Sequence, residues 1–143
     1  MTNLLGKSVS GIDWKKIFGQ DHRKAEIQAV WCRAYALTNA TSFVNAMDVF
    51  NDWLLIQLYA HNPSLGTYTT GKIGSILNST RLKAAYPKLL EMVTDIHDHR
   101  YGSHLSHAKV KNTGKPTGYI PFFYLRRAKR LMVVAFLELS RKW

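Results

Sequence analysis

The chain has 143 residues, 46% of them hydrophobic and 12% aromatic, with four prolines. That composition supports one packed domain and excludes the polar, weakly hydrophobic signature of a disordered chain. Twenty Lys and Arg against nine Asp and Glu leave a net charge of +11, which favours a polyanionic partner such as nucleic acid, with an anionic membrane surface as the competitor.

The amino end, "MTNLLGKSVSG", lacks the basic segment and apolar core of a secretory signal, and the longest apolar run, "WLLIQLYA", is too short to span a bilayer. The chain therefore reads as soluble and cytoplasmic. The single Cys32 has no disulfide partner and falls on a helical stripe, where it reads as a core residue rather than a nucleophile.

No repeat, low-complexity tract or Pro/Gly-rich linker divides the sequence, and the apolar spacing is helical almost throughout. Residues 1–143 are expected to form one all-α domain, a bundle of four main helices plus short ones. Asp13 is a good N-cap for a short helix carrying Trp14, Ile17 and Phe18, and residues 1–20 read as a packing arm. Over residues 23–37, Ile27, Val30, Trp31, Ala34 and Leu37 recur at steps of three and four, the mark of a core-facing helix.

Thr41 or Ser42 is expected to cap the next helix. Its stripe of Phe43, Met47, Phe50, Leu54 and Leu58 is widened by Trp53, Leu55 and Ile56, so it should be the most buried of the set. The turn-rich "HNPSLGTYTTG" closes it, and Ile73, Ile76 and Leu77 suggest a short helix that Gly74 weakens. Pro87 suits the first turn of a further helix with Leu89, Leu90, Val93 and Ile96 on its inner side. Residues 102–120 read as a polar loop, and residues 121–141 as the final helix, although "GYIPFFYL" could open as an extended piece. This last helix directs Phe122, Leu125, Met132, Ala135, Phe136 and Leu139 inward and carries Arg126, Arg127, Arg130 and Arg141 on its other side.

The stretch "DIHDHRYGSHLSHAKVKNTGKPTG", residues 95–118, holds four of the six histidines. At ~100° per residue Arg100 lies about 20° from Leu89 and Val93, which places a charge on the inward stripe. Such a guanidinium requires an anionic neighbour: a carboxylate such as Asp52 or Asp95, a carbonyl array, or a bound phosphate. An internal salt bridge is the plain alternative to a phosphate site. If the helix persists beyond Gly102, Arg100, His104 and His107 share one face over roughly 10 Å, whereas a break at Gly102 would fold the chain back. Arginine takes phosphate oxygens in bidentate fashion and an imidazole moves protons near neutrality, so the pairing suits phosphodiester chemistry.

The spacing in "RYGSHLSH", an arginine and a histidine with six residues between them near the end of an inward-facing helix, resembles the HEPN superfamily of small helical-bundle RNases and their inactive relatives. The resemblance extends loosely over residues 43–139. It implies a metal-independent endoribonuclease in which Arg100 holds the scissile phosphate and His107 assists proton transfer, with His104 in reserve. It further implies attack by the substrate's own 2′-hydroxyl, a cyclic phosphate product, and a composite site built across a homodimer. A toxin–antitoxin or phage-defence setting, with an antitoxin as protein partner, belongs to the same resemblance. Family members place Asn, Asp or His after the arginine, where this chain has Tyr101.

Two other readings use the same residues. Asp95, His97, Asp98, His99, His104 and His107 offer metal-binding atoms, but His97 and His99 are about 200° apart on a helix, which leaves His104 with His107 as the better pair and no metal or other cofactor as the expectation. A non-catalytic nucleic-acid binder, such as an inactive HEPN subunit or a basic bundle assisting a reverse transcriptase, needs only the cationic surface. From Arg100 onward the chain has ten Lys or Arg against Glu138 alone, and Lys109, Lys111, Lys115, Arg126, Arg127 and Arg130 are the expected phosphate contacts. Tyr119, Phe122, Phe123 and Tyr124 stand beside that face, where they either stack on unpaired bases or pack into the core.

Overall fold

The computed structural model describes residues 40–103, 120 and 123–143, with the side chains of residues 101–103 left aside. The described residues contain four α-helices, α1 (Ala40–His61), α2 (Thr80–Ala85), α3 (Pro87–Ser103) and α4 (Tyr124–Lys142), with two 3-10 turns, Pro63–Leu65 and Ile73–Ile76, between α1 and α2. They include no strand, in keeping with the all-α expectation. The packing arm at residues 1–20, the helix at 23–37 and nearly all of the loop at 102–120 lie outside the described residues.

Helix α3 is the central element, packed against α1 on one side and α4 on another. Its Leu89, Met92, Val93 and Ile96 are fully buried and meet Phe43, Met47, Phe50, Leu54 and Leu58 of α1 and Met132, Ala135, Phe136 and Leu139 of α4 in one core. Phe50 meets Phe136 edge to face at 6.0 Å between ring centres, tying α1 to α4. Each of these buried side chains larger than alanine contributes about 1.5–3 kcal/mol relative to exposure.

Three boundaries and one short helix differ from expectation. Thr41 and Ser42 lie within α1 rather than capping it, because buried Ala40, a strong helix former, is already helical. Helix α2 was not expected: in six residues only Leu82 is buried, too little to show a period, and its signal is Ser79, whose hydroxyl accepts the Leu82 N–H at 3.1 Å. Gly102 does not break α3, which continues to Ser103. Helix α4 begins at Tyr124 and not at residue 121, and ends one residue later than expected, at Lys142.

The start of α3 is completed from α4. Pro87 brings no N–H, and Leu90 N–H bonds back to Tyr86. The Glu138 carboxylate accepts the two remaining N–H groups, from Leu89 at 3.0 Å and Lys88 at 3.1 Å. All orphan donors of that turn are thereby satisfied by a buried anion placed at the positive end of the helix dipole. Lys142 stands 3.8 Å from Glu138 and donates to the Ala85 carbonyl at the end of α2.

The connection after α1 is pinned by Asp52, which accepts from the Tyr68 hydroxyl and, at 2.9 Å, from the Gly71 N–H. Gly71 takes φ +78, a conformation that a side chain disfavours. No helix among the described residues is long and apolar enough to cross a membrane.

Candidate functional site

The site forms where α1 and α3 cross. Asp48 of α1 is 2% exposed, and its carboxylate accepts from Arg100 Nη1 at 2.7 Å and faces His97 Nδ1 at 3.1 and 3.3 Å. His97 and Arg100 stand three residues apart on α3 and therefore share a face. The buried anion is held by one permanent cation and one imidazole, the condition under which a desolvated carboxylate is tolerated. A carboxylate at Nδ1 fixes a proton on that nitrogen and orients the ring. Beside the cluster a recess of about 100 Å³ is lined by Asp48, Val49, Asp52, Gly71, His97 and Arg100.

Arg100 therefore lies between the helices, its side chain 29% exposed, as its place on the inward stripe predicts. The anion that meets it is Asp48, not Asp52 or Asp95. Those two are engaged elsewhere, Asp52 by Tyr68 and Gly71, and Asp95 by groups on α4. A signal for Asp48 was present in its position: on the α1 wheel it falls within about 40° of Val44 and about 20° of Leu55, a carboxylate on an apolar stripe.

A second network joins α3 to α4. Asp95 accepts from the Tyr124 hydroxyl at 2.6 Å and from Arg127 Nη2 at 3.2 Å. The His99 ring stacks on Tyr124 with centres 3.7 Å apart and donates from Nδ1 to the Asp95 carbonyl at 2.7 Å. Burial first, then the Asp95 hydrogen bond and charge, push the Tyr124 phenol well above its ordinary value. His97 thus faces α1 while His99 faces α4, and among the described residues no three potential ligands gather as a metal site. A larger recess of about 480 Å³ between α2 and α3 is bordered by Glu91, Asp95 and Asp98 with Lys83, a lining unsuited to phosphate.

The expected phosphate contacts divide. Arg126, Arg127 and Arg130 are all exposed on α4, with Arg127 tied to Asp95; Lys109, Lys111 and Lys115 lie outside the described residues, as do His104 and His107. Of the aromatic group, Tyr124 is buried and Phe123 is 79% exposed, while Tyr119 and Phe122 are outside the described residues. Comparison with protein-family models, with curated proteins and with solved structures finds no match to this chain.

Proposed function

We propose that the chain is an HEPN-like protein acting on RNA, a metal-independent endoribonuclease working as a homodimer in a toxin or phage-defence setting. The observation offered for this reading is the place of the Arg100 guanidinium at the α1–α3 crossing, although its bond to buried Asp48 there is the internal salt bridge that the sequence leaves as the alternative to a phosphate site. A guanidinium is a planar fork whose geometry matches phosphate oxygens as well as carboxylates. Holding the fork in place beforehand lowers the entropy lost when phosphate binds.

In the reaction the 2′-hydroxyl attacks the adjacent phosphorus and the 5′-oxygen leaves, giving a 2′,3′-cyclic phosphate and a 5′-hydroxyl. Arg100 stabilises the charge on the phosphoryl oxygens, and His107 takes or returns the proton. Incubation with mixed RNA in chelator, with analysis of the product ends, tests this. Cleavage that Arg100→Ala and His107→Ala both abolish is expected; activity that appears only with a divalent ion overturns it.

A second reading, a non-catalytic RNA-binding subunit serving a polymerase or an antitoxin-like partner, is favoured by the exposed arginines of α4, since Arg126 and Arg130 have no carboxylate partner among the described residues. RNA binding without cleavage by the wild-type chain selects it.

A further inference from the structure

We infer that the outer face of α4 is a track for single-stranded RNA, with Phe123 as its stacking platform and Arg126 and Arg130 as its principal phosphate contacts. The inference rests on the RNA reading above and names the form of RNA and the residues that select it.

The helical repeat places these groups together. At ~100° per residue, Arg130, Val134 and Arg141 lie within about 20° of Phe123, Arg127 within about 40° and Arg126 within about 60°. The stripe is about 27 Å long at ~1.5 Å per residue. Phe123 and Val134 are two of the three large apolar side chains exposed among the described residues, and both belong to it. The only acid of α4, Glu138, is buried and turned to the start of α3. The stripe accordingly carries no carboxylate of its own, and among the described residues the one that reaches it is Asp95, which pairs with Arg127 and with no other residue of the stripe.

An exposed ring amid guanidinium groups suits unpaired bases. Every base has a face to stack on, whereas a duplex offers its phosphates but keeps its bases covered. The salt bridge also ranks the arginines: Arg127 is already partly neutralised, so Arg126 and Arg130 displace more counterions.

Fluorescence anisotropy of the full chain with a short oligouridine, and with a duplex of equal length, tests the inference across a salt series. The single strand should bind more tightly. Phe123→Ala should weaken it by roughly tenfold without changing duplex affinity or salt slope, and Phe123→Trp should restore it. Arg126→Gln and Arg130→Gln should each lower the slope by about 0.7, and Arg127→Gln by less. If the chain binds no RNA, the RNA reading fails and this inference with it. If it binds both forms equally, or Phe123→Ala changes nothing, the RNA reading stands and the track is refuted. Cosedimentation with phosphatidylserine vesicles that depends on Phe123, beside RNA binding that does not, would also overturn it and make the stripe a membrane contact.

Discussion

Among single residues, Asp48 concentrates the most consequence. Removing one partner of an ion pair costs most when the charge left behind is buried, so Arg100→Ala, which leaves a carboxylate 2% exposed with only His97 beside it, should destabilise the fold by about 3 kcal/mol in urea unfolding. Asp48→Ala should cost less, because the Arg100 side chain left behind is 29% exposed. The tyrosines give a pH signature. Tyr59, Tyr68, Tyr86 and Tyr124 are all raised above the ordinary 10.0, in each case chiefly by burial. Above that pH the native chain retains protons that the unfolded chain has released, so the stabilisation is complete below pH 10 and is lost as pH climbs. In an alkaline titration Tyr68 and Tyr124 should ionise only as the chain unfolds, with the melting temperature falling from about pH 10 upward. How far such residues can be read in advance is clear from Arg100. The wheel gave its inward direction correctly, because direction within a helix follows from spacing alone. Its partner is legible only by class, a carboxylate among the alternatives, because spacing along α3 carries no information about which residue of α1 faces it.

At the level of elements, the helices that bury a full stripe were legible and the short one was not. Helices α1, α3 and α4 each repeat apolar residues over several turns, whereas α2 rests on a serine cap and one leucine. The link between Glu138 and the start of α3 was not readable, since it joins groups 50 positions apart. Glu138→Ala should lower stability by about 2–4 kcal/mol and remove the exchange protection of the Lys88 and Leu89 amides. Lys142→Ala, at a half-exposed position, should change it by no more than about 1 kcal/mol.

Across the whole molecule, charge is distributed unevenly. Asp48, Asp52, Asp95 and Glu138 are engaged in internal hydrogen bonds and ion pairs, so the described acids mostly hold helices together. The arginines of α4 remain at the surface, and their mutual repulsion should be relieved by a polyanion. Heparin should therefore raise the melting temperature at low salt, with the effect vanishing at high salt, and gel filtration should show a dimer if the composite site is correct. The anion that completes the first turn of α3 has a consequence for biosynthesis. A ribosome delivers Pro87 long before it delivers Glu138, so a nascent chain halted between them has α3 frayed at its beginning and its leucines accessible to protease. The window closes only once Glu138 reaches the Lys88 and Leu89 amides.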